Sequence, residues 1–184
     1  MLKLVICGVL CASVAVVSGG NFGVGTWSTK AINKCEEPSH KFKFDFNLMT
    51  INETHEGFYG DIVLDEDFTE EYGVRLDICM FDEGTCKTLQ VIHDDSLFKF
   101  FNKYAAKYVT GCFNAAGISP VEVPIAKGTY KINEFVYSKE ITPGLFGSYI
   151  IKMFILNNDV EEGCVEAHLD FKKIEDKKEE KKEE

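Results

Sequence analysis

The feature that most constrains this fold is a strict two-residue alternation of apolar and polar side chains. Over 42–48, Phe and Leu alternate with Lys, Asp and Asn, which puts the aromatic rings on one face of a strand and the charges on the other. The same alternation recurs over 74–80 and 164–171. Each segment predicts a strand with one buried and one wet face, which is typical of antiparallel sheets.

Further strands are expected at 58–64, 130–137 and 149–156, between segments that hold Gly, Pro, Asn or Asp. Together the strands predict an all-β, immunoglobulin-like antiparallel β-sandwich. Over 95–109 the apolar residues instead recur every three or four positions behind Ser96, a good N-cap. One short amphipathic helix is expected there, with Gly111 just past its end.

Both ends of the chain differ from its body. Residues 1–20 combine Lys3, an apolar run and Ser-Gly-Gly, which predicts a secretory signal peptide. The run is shorter than the ~20 apolar residues that span a bilayer. Residues 21–171 are expected to form the folded domain, and 172–184 a charged low-complexity tail. The predicted location is secreted and extracellular, with the lysosome as the alternative.

The charge of the body limits its partners. The 184 residues carry a net charge of -10, and removal of the signal peptide with its one lysine makes it -11. The predicted tail has six positive and six negative charges, so the whole excess belongs to 21–171. Such acidity opposes binding to nucleic-acid phosphates, and no nucleic-acid partner is expected.

Five of the seven cysteines follow the signal peptide. No CxxC pair or Cys/His cluster occurs, so in an oxidising compartment they are expected to form disulfides rather than bind a metal. Two bridges and one spare thiol are the simplest outcome, and neither a metal nor a cofactor is expected. The sequon at Asn52 is a candidate glycosylation site that has to lie on a surface loop.

No catalytic residue is predicted. The chain has no GxSxG, HExxH, Walker or dinucleotide-binding motif. Its four histidines are scattered, and His168 shares a strand face with Glu166 and Asp170, as a solvated surface histidine does. A hydrolase whose carboxylates meet only on folding is the lowest-ranked alternative.

The 15 Phe and 7 Tyr residues allow two interiors. One is an ordinary closed core, and the other is an open one that holds an apolar ligand between two sheets. Burying ten methylenes of an acyl chain is worth on the order of 8 kcal/mol before the costs of binding. Composition does not separate the two.

Three motifs together resemble the ganglioside activator branch of the ML lipid-recognition family. They are the Cys-x6-Cys of 79–86 with the helix-like 96–108, the paired Gly-x-Tyr segments 127–132 and 141–149, and Glu-Gly-Cys-Val at 162–165. Together the three motifs span roughly residues 79–171. Related arthropod secreted proteins of unknown function share this layout.

The resemblance implies the disulfide pairing. It pairs Cys35 with Cys164 and Cys79 with Cys86. The family partner of Cys112 is missing, because 118–125 holds no cysteine, so Cys112 is expected to be free or to form an intermolecular bridge. The same departure leaves the headgroup specificity of the activator without support in this chain.

The leading hypothesis is therefore a secreted, non-catalytic lipid-binding cup. The predicted wall of its pocket is Phe42, Phe44, Phe46, Leu76, Ile78, Ile132, Ile151, Met153 and Ile155. The predicted rim is Phe98, Phe101, Tyr104 and Phe146. The expected partner is a lipid or other apolar small molecule, with a protein or a membrane surface as a further partner.

Besides the hydrolase, two alternatives to the lipid-binding cup remain open from the sequence. Ranked second is an extracellular protein-interaction module with a closed core and an acidic binding face. The third is a lipocalin-type carrier, suggested by Gly25-Thr26-Trp27, because a Gly-x-Trp on the first strand marks that barrel.

Overall fold

The computed structural model describes residues 21–35 and 40–174. Within them lie nine strands: β1 (Phe22–Lys34), β2 (Phe42–Thr50), β3 (His55–Leu64), β4 (Gly73–Asp82), β5 (Thr85–Asp94), β6 (Gly128–Ser138), β7 (Ile141–Leu145), β8 (Gly147–Asn157) and β9 (Val160–Lys173). Two helices, α1 (Leu97–Tyr104) and α2 (Ala106–Ala115), lie between β5 and β6. The all-β prediction is confirmed. The predicted signal peptide and residues 175–184 of the predicted tail lie outside the described residues.

The strands form two layers. The large sheet has the antiparallel order β5-β4-β8-β9-β1-β7, and the small sheet has the order β2-β3-β6. One parallel bridge, between Phe42 and Gly163, joins them. A Cβ on Gly163 would lie only 2.8 Å from the Cβ of Phe42, so the close crossing requires glycine. The predicted sandwich is confirmed, and the closed lipocalin barrel is wrong.

Every predicted strand is present, and the structure adds β1, β5 and β7. β5 is the exposed edge of the large sheet, so it lacks a clear apolar face. β7 contains Pro143, which an edge strand tolerates because one side of it needs no ladder hydrogen bonds. β9 continues to Lys173, where Lys172 and Lys173 pair with β1, so the sheet includes the start of the predicted tail.

Irregularities in register change which side chains face inward. Between β3 and β6 the pairing shifts from Phe58–Phe135 to Gly60–Ile132, so one extra residue enters β6. The inward face of β6 therefore passes from Ile132 to Phe135 and Tyr137. A similar shift in β1 follows Thr29.

The predicted single helix is two helices. Ser96 caps α1 as expected, its Oγ accepting a hydrogen bond from the Lys99 amide at 3.3 Å. Ala105, with φ -142° and ψ 17°, separates α1 from α2. The expected end before Gly111 is wrong, because α2 continues through it to Ala115. A Cβ on Gly111 would lie 2.6 Å from the Phe135 ring, so glycine lets α2 approach β6.

Both disulfides implied by the family resemblance are present. Cys35 and Cys164 join the end of β1 to β9 across a Cα–Cα distance of 5.4 Å, and Cys79 and Cys86 close the β4–β5 hairpin. Cys112 is the free cysteine of the described chain.

The loop before β6, whose segment 118–125 holds no cysteine, is held by hydrogen bonds. Phe68 and Ile125 exchange two backbone hydrogen bonds of 2.8 and 2.9 Å, and the Lys127 amide donates to Asp67 Oδ1 at 2.8 Å. In the described part of the chain, no helix is long and apolar enough to cross a membrane.

Candidate functional site

A cavity of about 350 Å³ lies between the two sheets and the helix pair. Its lining is apolar except for the hydroxyls of Thr29, Tyr108 and Tyr137 and the thiol of Cys112. The remaining lining residues are Ile32, Phe44, Phe46, Phe58, Ile62, Leu64, Phe68, Leu76, Leu97, Phe101, Ala105, Val109, Phe113, Phe135, Ile151, Met153, Ile155, Val165, Ala167 and Leu169. The volume falls within the ~300–1,000 Å³ of small-molecule sites.

The cavity wall on the small sheet is a row of phenyl rings. Successive ring centroids of Phe44, Phe46, Phe58 and Phe135 lie 6.0, 4.9 and 5.3 Å apart. All four side chains point inward yet stay only half-buried. A filled interior packs such rings on all sides, so their remaining exposure reflects the hollow between the sheets.

The other walls come from the large sheet and the helices. Met153 and Ile155 of β8 and Ala167 and Leu169 of β9 line the cavity at every second residue, as the strand period requires. Leu97 and Phe101 line it at a helical spacing of four residues. Two buried clusters, one of which surrounds Trp27, adjoin the cavity, and both contribute side chains to its lining.

Seven of the thirteen predicted pocket residues line this cavity. They are Phe44, Phe46, Leu76, Phe101, Ile151, Met153 and Ile155. That these side chains contact a ligand stays a prediction.

Three predicted wall residues lie outside the cavity because neighbouring side chains cover them. Phe42 is buried edge-on against Phe68 and Tyr72, with ring centroids 5.8 and 4.8 Å away. Ile78 belongs to the Trp27 cluster. Ile132 is fully buried in the other cluster, on the far side of the β6 register shift from Phe135.

Three predicted rim residues also lie elsewhere. Phe98 follows Leu97 on α1 and is rotated away from the cavity by the ~100° that one helical residue turns. Tyr104 packs against Phe100, with ring centroids 5.0 Å apart. Phe146 stacks on Phe171 at 5.4 Å and covers the Trp27 cluster.

Sequence reasoning missed seventeen lining residues, and for some the signal was present. Phe58, Ile62 and Leu64 lie on the strand predicted at 58–64, which is part of β3. Val165, Ala167 and Leu169 lie on the predicted apolar face of another strand, β9. Cys112 and Phe113 of α2 were missed because the helix was expected to end before Gly111, whereas Tyr108 and Val109 lie within the predicted helix but were not assigned to the pocket. Phe135 and Tyr137 were missed because of the register shift in β6.

Glu56 forms a buried polar cluster behind one end of the cavity. The residue is only 5 % exposed, and its carboxylate accepts hydrogen bonds from Ser28 Oγ at 2.8 Å and the Thr29 amide at 3.0 Å. Lys139 Nζ lies 3.0 Å from its Oε1. Burial opposes the charged form, but these donors outweigh it and hold the pKa of Glu56 below its usual value. Glu56 is therefore ionised at neutral pH.

Cys112 lies on the cavity face of α2. Burial raises the pKa of its thiol to about 12, so the thiol stays protonated and is a poor nucleophile. Cys112 forms no disulfide within the described chain, and which of the two outcomes left open by the sequence applies, a free thiol or an intermolecular bridge, stays a prediction.

The other predicted polar sites lie on the outside. Asn52 is exposed in the β2–β3 turn, where its Oδ1 accepts from the amides of Thr54 and His55; glycosylation there stays a prediction. His168 lies 2.6 Å from Glu166. Among residues 21–35 and 40–174, no group of three or more His, Cys, Asp or Glu side chains could hold a metal ion.

A second concavity, of about 730 Å³, is a groove on the outer surface between Asn21, Phe146 and Ile174. It is larger than the cavity between the sheets. However, it borders chain positions outside the described residues and is lined partly by lysines of β9. The apolar cavity between the sheets is therefore the stronger candidate site.

No protein-family model matches the chain, and no curated protein matches it. Among solved structures, the crystal structure of chicken MD-1 complexed with lipid IVa matches with a TM-score of 0.40 and 15 % sequence identity. The match covers 85 % of this chain and 94 % of that one.

Proposed function

We propose that this protein is a secreted lipid-binding protein that holds an acyl-chain or sterol-like ligand between its two sheets. It acts as a carrier, transfer or presentation protein and performs no chemistry on its ligand. The observation that carries this proposal is the 350 Å³ cavity with its almost wholly apolar lining. Membership of the ML family is part of the proposal and is supported by the three sequence motifs.

The energetics favour an apolar occupant. Each buried methylene contributes about 0.8 kcal/mol, and the row of phenyl rings in the small sheet offers only apolar contacts. Ordering a flexible chain and losing its translational freedom offset part of that gain. A polar metabolite would have to give up its hydration for a wall with few hydrogen-bonding partners, so the cavity selects against it.

Secretion is supported by the sequence of residues 1–20 and by the two disulfides, since such bridges persist in oxidising compartments. The cavity also favours the carrier over the closed-core interaction module. A packed core has few voids larger than a water molecule, and this one is far larger.

A cavity-filling variant tests the proposal. Ala167 lines the cavity from β9, so Ala167→Phe places a phenyl ring in the space that the ligand needs. Ala126→Phe is the matched control, because Ala126 is exposed in the loop before β6. The readout is titration with a fluorescent alkyl-chain probe whose headgroup carries no charge.

The unmodified protein and Ala126→Phe are expected to bind the probe saturably, and Ala167→Phe to lose at least about tenfold in affinity, since most of the ligand's contact area is removed. Absence of binding by the unmodified protein, or equal binding by both variants, contradicts the proposal.

A further inference from the structure

The polar groups of the cavity lie together at one end. Thr29 Oγ1 and the Tyr137 hydroxyl are 3.0 Å apart, and the rings of Tyr108 and Tyr137 meet edge to face with centroids 6.0 Å apart. Apart from the Cys112 thiol, every other lining side chain is apolar. A ligand with one polar end therefore has one place to put it.

The hydroxyl protons at this end are directed away from the cavity. Tyr108 donates to Glu140 Oε1 at 2.6 Å, and Tyr137 donates to Glu56 Oε2 at 3.4 Å. Burial raises the pKa of both phenols, that of Tyr137 to about 12, so both keep these protons at neutral pH. By distance alone either hydroxyl of the Thr29–Tyr137 pair could donate to the other. The ionised carboxylate of Glu56 can only accept, so we assign the Tyr137 hydroxyl as donor to Glu56 and Thr29 as donor to Tyr137.

What remains for a ligand is a set of oxygen lone pairs. A hydroxyl oxygen accepts through its lone pairs after its single proton has been donated elsewhere. The end formed by Thr29, Tyr108 and Tyr137 thus offers acceptors and no spare O–H donor. A headgroup that brings its own proton matches it, whereas an acceptor-only headgroup does not.

The charged groups next to these hydroxyls also disfavour an anionic headgroup. Glu56 and Glu140 each accept a hydrogen bond from a tyrosine hydroxyl, and the ammonium of Lys139 lies 3.0 Å from the Glu56 carboxylate. An anionic headgroup would face the two carboxylates, and it would have to compete with Glu56 for Lys139. Like charges that meet away from bulk water repel strongly.

We propose that the ligand is an amphiphile whose headgroup is uncharged and donates a hydrogen bond, such as a hydroxyl or an amide N–H, and that it seats this headgroup against Thr29, Tyr108 and Tyr137. Carboxylate-headed chains are selected against. The inference rests on the proposed function and specifies the class of lipid.

Three ligands with the same alkyl chain separate the contributions: a primary alcohol, a carboxylate and the methyl ester of that carboxylate. The ester is uncharged but has no donor. Displacement of the uncharged probe is measured at about pH 8, where a free carboxylate is ionised. The alcohol is expected to bind best and the carboxylate worst, with about tenfold between them, or about 1.4 kcal/mol.

Because a carboxylate is better hydrated than an alcohol, any apolar cavity would prefer the alcohol to some degree. Two variants therefore test whether the named residues cause the preference. Tyr137→Phe removes an acceptor and leaves the Thr29 hydroxyl without its partner, so the ratio of alcohol to ester affinity is expected to fall about fivefold. Tyr59→Phe is the matched control, since Tyr59 is 44 % exposed and does not line the cavity. Glu56→Gln frees Lys139 and is expected to improve carboxylate binding. Should that variant fail to fold, Tyr108→Phe replaces it, with the same fall in the ratio expected as for Tyr137→Phe.

The outcomes are distinct. Carboxylate binding as tight as alcohol binding, or an alcohol-to-ester ratio that Tyr137→Phe leaves unchanged, overturns the headgroup assignment while the carrier function stands. Failure of all three ligands and the probe to bind overturns the proposed function itself.

Discussion

At the residue scale, Cys112 provides a chemical reporter inside the cavity. Its protonated thiol lies on the lining, so we expect slow reaction with a small thiol reagent and still slower reaction once an alkyl-chain ligand is bound. The measurement is the rate of thiol modification with and without ligand. Cys112→Ser supplies the background from any other thiol. A modification rate that saturating ligand leaves unchanged would place the ligand away from α2.

Glu56 makes a pH-dependent contribution to stability. Its pKa is lower in the folded protein than its usual 4.5, so the stabilisation is present above that value and is lost as the pH falls through the folded-state pKa. Glu56→Gln is expected to lower the free energy of unfolding by about 2 kcal/mol at neutral pH, because it weakens charge-assisted hydrogen bonds. Urea unfolding of both proteins at several pH values measures this. A deficit that persists unchanged well below pH 4.5 contradicts the assignment.

At the scale of the elements, the two disulfides differ in the length of chain that they close. The sequence separation is 129 residues for Cys35–Cys164 and 7 residues for Cys79–Cys86. The chain-entropy relation therefore gives about 4–5 kcal/mol for the first and about 2–3 kcal/mol for the second. Paired Cys→Ser variants, compared by urea unfolding, are expected to show that order. A hairpin variant that is the less stable of the two would contradict it.

The elements also show how far the sequence could be read. Alternation predicted the strands that have one apolar face, and it placed Phe44, Met153 and Ile155 on the cavity side. It could not place Phe135 and Tyr137, because one inserted residue in β6 reverses the face and leaves no mark in the pattern itself.

The helix pair shows a similar limit. A glycine usually marks a helix end, but Gly111 serves the packing of α2 on β6 instead, and only the position of the Phe135 ring reveals this. The headgroup end of the cavity was likewise invisible in sequence. Thr29, Tyr108 and Tyr137 come from three elements and meet only in the fold.

At the scale of the whole molecule, a bound ligand should stabilise the sandwich. A ligand at one hundred times its Kd adds about 2.7 kcal/mol, which for a chain of this size raises the thermal midpoint by about 5–10 °C. We expect that rise in the unmodified protein and a rise at most about half as large in Ala167→Phe, whose affinity is at least about tenfold lower. Differential scanning fluorimetry with the alkyl alcohol measures it. An equal rise in both proteins would indicate binding outside the cavity.

The central claim is that the space between the sheets is occupied by a lipid in the functioning protein. Native mass spectrometry of the protein purified from its own source, before and after organic extraction, tests this most directly. The account predicts a species heavier than the polypeptide by one lipid, which extraction removes and which proves on analysis to carry an uncharged headgroup. A protein that arrives with no extractable lipid and then binds no alkyl-chain probe would contradict the claim.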